Sequence, residues 1–241
     1  MIRRPTAVAL MILALAAPAV AQDDAARLLE QADRFRADWP SLRLTTRIDT
    51  YDGERLTESA AFEVALKGED SLITFLSPRS KGQTLLMRGD DMWLYLPAVA
   101  RGVRITPLQR LAGNTSNGDL ARLRFAVDYS ASLGGEETIG DTACVVLELR
   151  ARRPSAAYQR VRYAVRKEDG LPIRAEYFLA SGRPIKTAFF EDVRPFAGRP
   201  TVARIVIVDE IRKASKSVMV FERIVPQPID DRVFSPSRAG G

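Results

Sequence analysis

The sequence predicts a mainly β fold with covering helices, an unclosed, curved antiparallel half-barrel of about eleven strands. Three observations lead there. From Leu42 the apolar period changes from 3.6 to 2, as Leu42, Leu44, Thr46, Ile48 and Thr50 alternate with charged and polar residues. Short turns such as Asp52-Gly53 and Gly68-Glu69-Asp70 join the runs, leaving no room for the helix-length crossovers of a parallel sheet. About eleven strands are too many for a flat open sheet, which must curl or close. Curling around a helix makes an incomplete barrel with an apolar interior.

The chain has 241 residues, a hydrophobic fraction of 46% and a formal charge of +6, an ordinary composition for one large domain. It has no histidine and one cysteine, Cys144, so no intramolecular disulfide forms. The same lack removes most transition-metal sites and every His-based acid–base scheme. Residues 1–21 read as an export signal: Arg3 and Arg4, an apolar run Ala7–Ala17, then Ala19-Val20-Ala21 before Gln22. That run is about ten residues, against about 20 for a bilayer span, so residues 22–241 are expected as a single exported, periplasmic domain that does not span a membrane.

Asp23 to Trp39 reads as the first helix. Asp23 and Asp24 suit its first turn, Leu28, Leu29, Ala32, Phe35 and Trp39 form one stripe, and Pro40 stops it. Strands follow at Leu42–Thr50, Leu56–Lys67 and Leu72–Leu76. Thr84–Arg88 and Asp91–Leu96 flank Gly89-Asp90 at hairpin spacing, and Pro97 ends the second run. Met92–Leu96 is apolar on both faces, so something apolar must cover each face. The expected covers are helices on one side and a bound apolar ligand on the other; a doubly covered core strand would use the same residues. Arg101–Thr106 reads as a basic strand. Pro107–Ala112 and Asp119–Phe125 read as helical pieces over the mouth of the sheet. Six more strands are expected, Ala143–Arg150, Tyr158–Lys167, Leu171–Leu179, Arg183–Val193, Val202–Ile211 and Ser217–Val225. A last turn, Ile229–Phe234, should pack Val233 and Phe234 onto the body.

No G-x-S-x-G elbow, Ser-x-x-Lys pair, P-loop or G-x-G-x-x-G run is present, so no catalytic residue, metal ligand or cofactor is assigned. The pairs Glu136-Glu137, Glu168-Asp169 and Asp230-Asp231 are expected in turns. The basic excess is scattered over many strands, which argues against nucleic acid as a partner.

Phe75-Leu76-Ser77-Pro78, Lys81-Gly82, Leu85, Met92-Trp93-Leu94-Tyr95-Leu96-Pro97 and the spaced Arg101 and Arg104 together resemble the outer-membrane lipoprotein-sorting (LolA-like) proteins, and more closely their less characterised periplasmic branch. The resemblance spans nearly all of residues 22–241. It implies a half-barrel lidded by helices, and a non-enzymatic function in which lipid or lipoprotein acyl chains are shielded in a groove. Implied partners are an inner-membrane transporter and an outer-membrane acceptor. The closer branch carries an aromatic, acidic D-F-x-Y-x-D-like segment after the basic strand; residues 114–120 here keep only its final Asp-Leu. A second reading on the same fold is a protein-binding or envelope-sensing module.

Each buried methylene contributes about 0.8 kcal/mol, so shielding one acyl chain takes an apolar lining worth on the order of 10 kcal/mol. Phe62, Phe75, Leu85, Met87, Met92, Leu94, Phe178 and Ile205 are the candidate lining, although ordinary core packing would use the same residues. Trp93, Tyr95, Arg101 and Arg104 are the candidate lid or partner contacts. A flat or tightly filled sandwich would exclude carriage.

Overall fold

The computed structural model describes residues 17–97, 99 and 101–236. Most of the expected signal segment, residues 1–16, lies outside them. Helix α1 spans Ala17–Asp33, beginning before Asp23 and stopping six residues short of Trp39. The chain leaves the helix early because Arg36 N–H donates to Asp33 O (2.8 Å) in a tight turn, and Ala37 follows with a left-handed φ of 65°. Val202 N–H then donates to Phe35 O (2.8 Å), which fastens this connection to the sheet.

Among the described residues thirteen strands form one antiparallel sheet. The N-terminal meander contributes β1 Ser41–Asp52, β2 Arg55–Lys67, β3 Asp70–Phe75, β4 Thr84–Arg88, β5 Asp91–Tyr95 and β6 Val103–Ile105. After a small hairpin, β7 Arg110–Ala112 and β8 Thr115–Ser116, come helices α2 Asn117–Ala121 and α3 Phe125–Asp128. The second meander is β9 Tyr129–Ile139, β10 Thr142–Ala151, β11 Arg160–Arg166, β12 Pro172–Phe178, β13 Pro184–Phe196, β14 Arg199–Asp209 and β15 Ser215–Pro226. The meanders join where β1 pairs with β15, as in Leu44↔Ile224 and Ile48↔Met219. β6 and β9 are the two ends of the sheet and do not pair with each other. The sheet is therefore large, curved and unclosed.

The sheet exceeds the expected strand number chiefly through β9. Its Gly134-Gly135-Glu136-Glu137 stretch carries no apolar alternation, because the outer half of this edge strand is exposed. Glu136 and Glu137 consequently lie in a strand rather than a turn; Glu136 pairs with Lys167, and Glu137 with Arg162 and Arg174. Pro107–Ala112 is not helical but enters the β7–β8 hairpin. Gly113 between those strands has a φ of +51°, and a Cβ there would stand 1.9 Å from Thr50 Oγ1 and 2.3 Å from Ser217 Oγ. Only glycine lets the hairpin tip approach β1 and β15 this closely.

Antiparallel register keeps paired residues on one face. The chain Leu44↔Val64, Val64↔Ile73, Ile73↔Leu85 and Leu85↔Leu94 follows the inner face across the first meander. Met219↔Ile205, Ile205↔Phe190, Ala188↔Ala175, Ala175↔Tyr163 and Tyr163↔Leu147 continue it across the second. α1 packs Ala25, Leu29 and Ala32 into this core. A second, small core sits on the outer face, where Leu86, Tyr95, Ala65 and Trp93 meet Ile229, Val233 and Phe234. The 3₁₀ turn Asp231–Phe234 supplies that cover, with Phe234 1% exposed. The second cover over β5 is thus the chain's own C-terminal turn, where a bound ligand was expected.

Candidate functional site in the hollow of the sheet

The register sorts the expected lining residues. Phe62, Phe75, Leu85, Met87, Met92, Leu94 and Ile205 share the inner face, with Phe62 and Phe75 in edge-to-face contact at 5.1 Å. Phe178 does not join them. It follows inward-facing Tyr177 by one residue, pairs with Arg160 and receives that guanidinium at 4.5 Å on the outer face. Trp93 and Tyr95 alternate with Met92 and Leu94, so they too point outward, under the C-terminal turn and not under the lid. Arg104 lies opposite Trp93 and pairs with Asp91, while Arg101 is solvent-exposed. Neither arginine reaches the hollow.

Residues 107–128 form the lid. The small hairpin is tied to the rim by Asn114 N–H to Ser217 Oγ (2.9 Å), Asn114 Nδ2 to Ser215 Oγ (3.1 Å) and the Arg110–Glu58 pair (3.0 Å). Ser116 occupies the N-cap of α2, and Asp119, three residues on, accepts the Ser116 N–H at 2.8 Å. The retained Asp119-Leu120 points inward together with most of the altered segment: Leu120 is fully buried and Asp119 pairs with Lys186 of β13, while Thr115 and Asn117 are buried beside them. Tyr158 Oη lies 3.0 Å from Asp119 Oδ1 and 2.9 Å from Ser116 Oγ. The Lys186 ammonium also sits 4.6 Å from the Tyr158 ring and 5.0 Å from the Tyr177 ring. Burial drives the Lys186 pKa down and Asp119 opposes the shift; burial drives the phenols of Tyr158 and Tyr177 up.

A second polar group secures α3. Asp33, at the end of α1, accepts N–H bonds from Phe125 (2.9 Å) and Ala126 (2.8 Å). Burial lifts its carboxyl to about 6, against the opposing pull of Arg36 and these N–H groups. Arg36 is 6% exposed and stacks at 4.1 Å on Phe125 and 5.3 Å from Phe190. At the rim, Arg122 binds Asp128 (2.7 Å) and Gly89 O, while Arg153 binds Glu69 (2.8 Å) and Asp90 (3.1 Å). These contacts join turns of the first meander to the β10–β11 loop of the second.

The hollow itself is filled. A cavity bordered by Arg36, Asp119, Tyr158, Tyr177, Phe190 and Ile205 measures about 30 Å³, room for about two waters. A second, on the other side of Arg36 against Leu123, Val202, Phe221 and Ile224, measures about 10 Å³. The expected standing groove is corrected accordingly: the protein is a single curved sheet and not the sandwich that would exclude carriage, but lid and sheet pack against each other along the inner face, so a groove exists only where the lid is displaced.

Sequence reasoning missed Arg36, Asp33, Lys186 and Asp119 as interior groups. One was signalled; Arg36 was not, because it lies beyond the end of α1, where helical spacing no longer places side chains. Lys186 precedes Ala188 and Phe190 at period two, which places it on their inward face.

The family model described as "-like: Uncharacterized protein" matches residues 67–238. No curated protein matches the sequence. The crystal structure of a LolA superfamily protein from Nitrosomonas europaea is similar at 30% identity and a TM-score of 0.83, over 88% of this chain and 97% of that one. A DUF1329 family protein from Desulfovibrio piger is similar at 24% identity and a TM-score of 0.75, over 90% and 98% of the two chains. A domain described as an outer membrane lipoprotein-sorting protein, from Vibrio parahaemolyticus, shares the fold at 15% identity and a TM-score of 0.73, over 89% and 97%.

Proposed function

The chain belongs to the LolA superfamily, and from that premise we propose a periplasmic carrier that shields lipid or lipoprotein acyl chains during transfer toward the outer membrane. One observation carries the reading: a lid with no strand in the main sheet covers a continuous apolar inner face and is fastened to it by a few polar pairs. The lid buries Leu120, Leu123 and Phe125, each worth about 1.5–3 kcal/mol. An acyl chain offers on the order of 10 kcal/mol in return. The two covers are close enough in free energy to exchange, and a shuttle needs that balance in order to release what it takes up. Carriage therefore works by displacement of the lid, with Phe62, Phe75, Leu85, Met87, Met92, Leu94 and Ile205 as the surface the chain meets. An inner-membrane donor and an outer-membrane acceptor are the partners this reading requires.

The small interior volume favours a second reading, a protein-binding or envelope-sensing module on the same fold. Native mass spectrometry of gently purified, exported protein separates the two. Co-purified lipid or lipidated protein is expected for the carrier, and Leu94→Asp should abolish it. A bare mass that stays bare in the presence of lipid vesicles would overturn carriage.

A further inference from the structure

Arg36 is a guanidinium held inside the hollow without a carboxylate partner; the Tyr163 hydroxyl is the nearest acceptor. Its Nη1 is buried and unpartnered, and so is Tyr163 Oη, which lies close enough to act on it electrostatically. The carboxylates that act on it are committed elsewhere. Asp33 accepts from Phe125 N–H and Ala126 N–H, while Asp119 serves Lys186, Tyr158 and Ser116. Among the described residues Arg36 forms no ion pair; its partners are the Phe125 and Phe190 rings and the neutral Tyr163 hydroxyl. A buried guanidinium ordinarily meets a carboxylate or phosphate through paired N–H donors. Leaving such donors unmet is costly, and this arginine borders two of the interior cavities. The cavity on its Asp119 side is mostly apolar with a few polar groups, Asp119 and Tyr158 among them, and the one toward Phe221 and Ile224 is almost wholly apolar.

We propose that Arg36, with Tyr163 beside it, is the head-group site for an anionic single-chain amphiphile, whose carboxylate or phosphate monoester pairs with the guanidinium while its tail lies on the apolar inner face. This rests on the carrier reading and narrows it to cargo with an acidic head. Phe190 belongs to the sheet and not to the lid, so its ring, 5.3 Å from the guanidinium, stays in place when Phe125 moves away and helps to orient the fork for a planar, two-oxygen head. Asp33 and Asp119 set a limit on the charge the site accepts. An added anion joins two interior carboxylates already present, so a singly charged head suits the site better than a dianion.

The test is displacement of a neutral naphthylamine dye from the full protein at pH 8. Laurate, dodecyl phosphate and dodecanol serve as probes, each below its micellar concentration. Laurate is expected to bind about tenfold or more tighter than dodecanol, the ratio a charge-assisted pair supplies. Dodecyl phosphate should fall between them or match laurate, and the order of the two names the head group. Arg36→Met should bring laurate down to the level of dodecanol without weakening dodecanol. Arg36→Lys, which keeps the charge and loses the fork, should retain part of the preference and guards against a methionine variant that does not fold. Equal binding of laurate and dodecanol by the unaltered protein overturns the head-group site and leaves carriage standing. An undiminished preference in folded Arg36→Met also overturns it. Binding of none of the three overturns both.

Discussion

Asp33 bonds α3 through both carboxylate oxygens yet sits where charge is disfavoured. With its carboxyl raised to about 6, the folded state holds the proton more tightly than the unfolded chain. Its stabilising contribution is complete below the ordinary carboxylate range near 4, and is lost as pH rises through about 6. Asp33→Asn cannot ionise. The stability of the unaltered protein relative to this variant should therefore drop by about 2–3 kcal/mol between pH 4 and pH 7. Urea midpoints at the two pH values measure it, and a difference independent of pH would contradict the assignment. Lys186 provides a second residue-level prediction. Lys186→Met strands the Asp119 carboxylate and should cost about 3–5 kcal/mol, whereas adding Asp119→Leu should recover part of that loss. Full additivity of the two substitutions in denaturant unfolding would mean the pair is not coupled.

At the scale of elements, the outer-face core makes a sharp prediction. Phe234 packs with Leu86, Tyr95 and Trp93 from a turn of four residues, so Phe234→Ala should cost about 3–5 kcal/mol. Trp93 emission should shift to the red in the folded variant, with Trp39 mutated to Phe to isolate the signal. The two meanders and this turn were legible in the sequence, because alternation and turn residues act over a few positions. β9 and the β7–β8 hairpin were not. β9 is an edge strand whose outer half is largely exposed, and Thr115-Ser116 is two residues long, in a hairpin whose Asn114 is bound by Ser215 and Ser217 far along the chain. The inner-face residues were legible as apolar strand positions, but Phe178, Trp93 and Tyr95 went to the wrong face. Sequence alternation separates the two faces without saying which is hollow, and the second apolar face of β5 is answered by a turn some 140 residues away in sequence.

For the molecule as a whole, the carrier reading requires that access to the interior pass through the lid. Uptake of a neutral apolar dye should be slow in the unaltered protein, because Leu120 and Phe125 must first leave their places. Lys186→Met, which unfastens α2, should speed uptake while weakening overall stability. Stopped-flow fluorescence reads the rate, and an unchanged rate in a folded variant would place the entrance elsewhere. The rim contacts of Arg153 with Glu69 and Asp90 are partly exposed and should be screened, so raising salt from 0.05 to 0.5 M, roughly a threefold drop in screening length, should also speed entry. β6 and β9 end the sheet without meeting. In a closed barrel the girth is set by strand number and stagger and cannot change without breaking a ladder. Here the two margins can draw apart by added twist while every backbone ladder stays intact. On the carrier reading, the hollow can therefore be remade to the calibre of what it takes up, with the burden of each adjustment falling on the clasp at the seam.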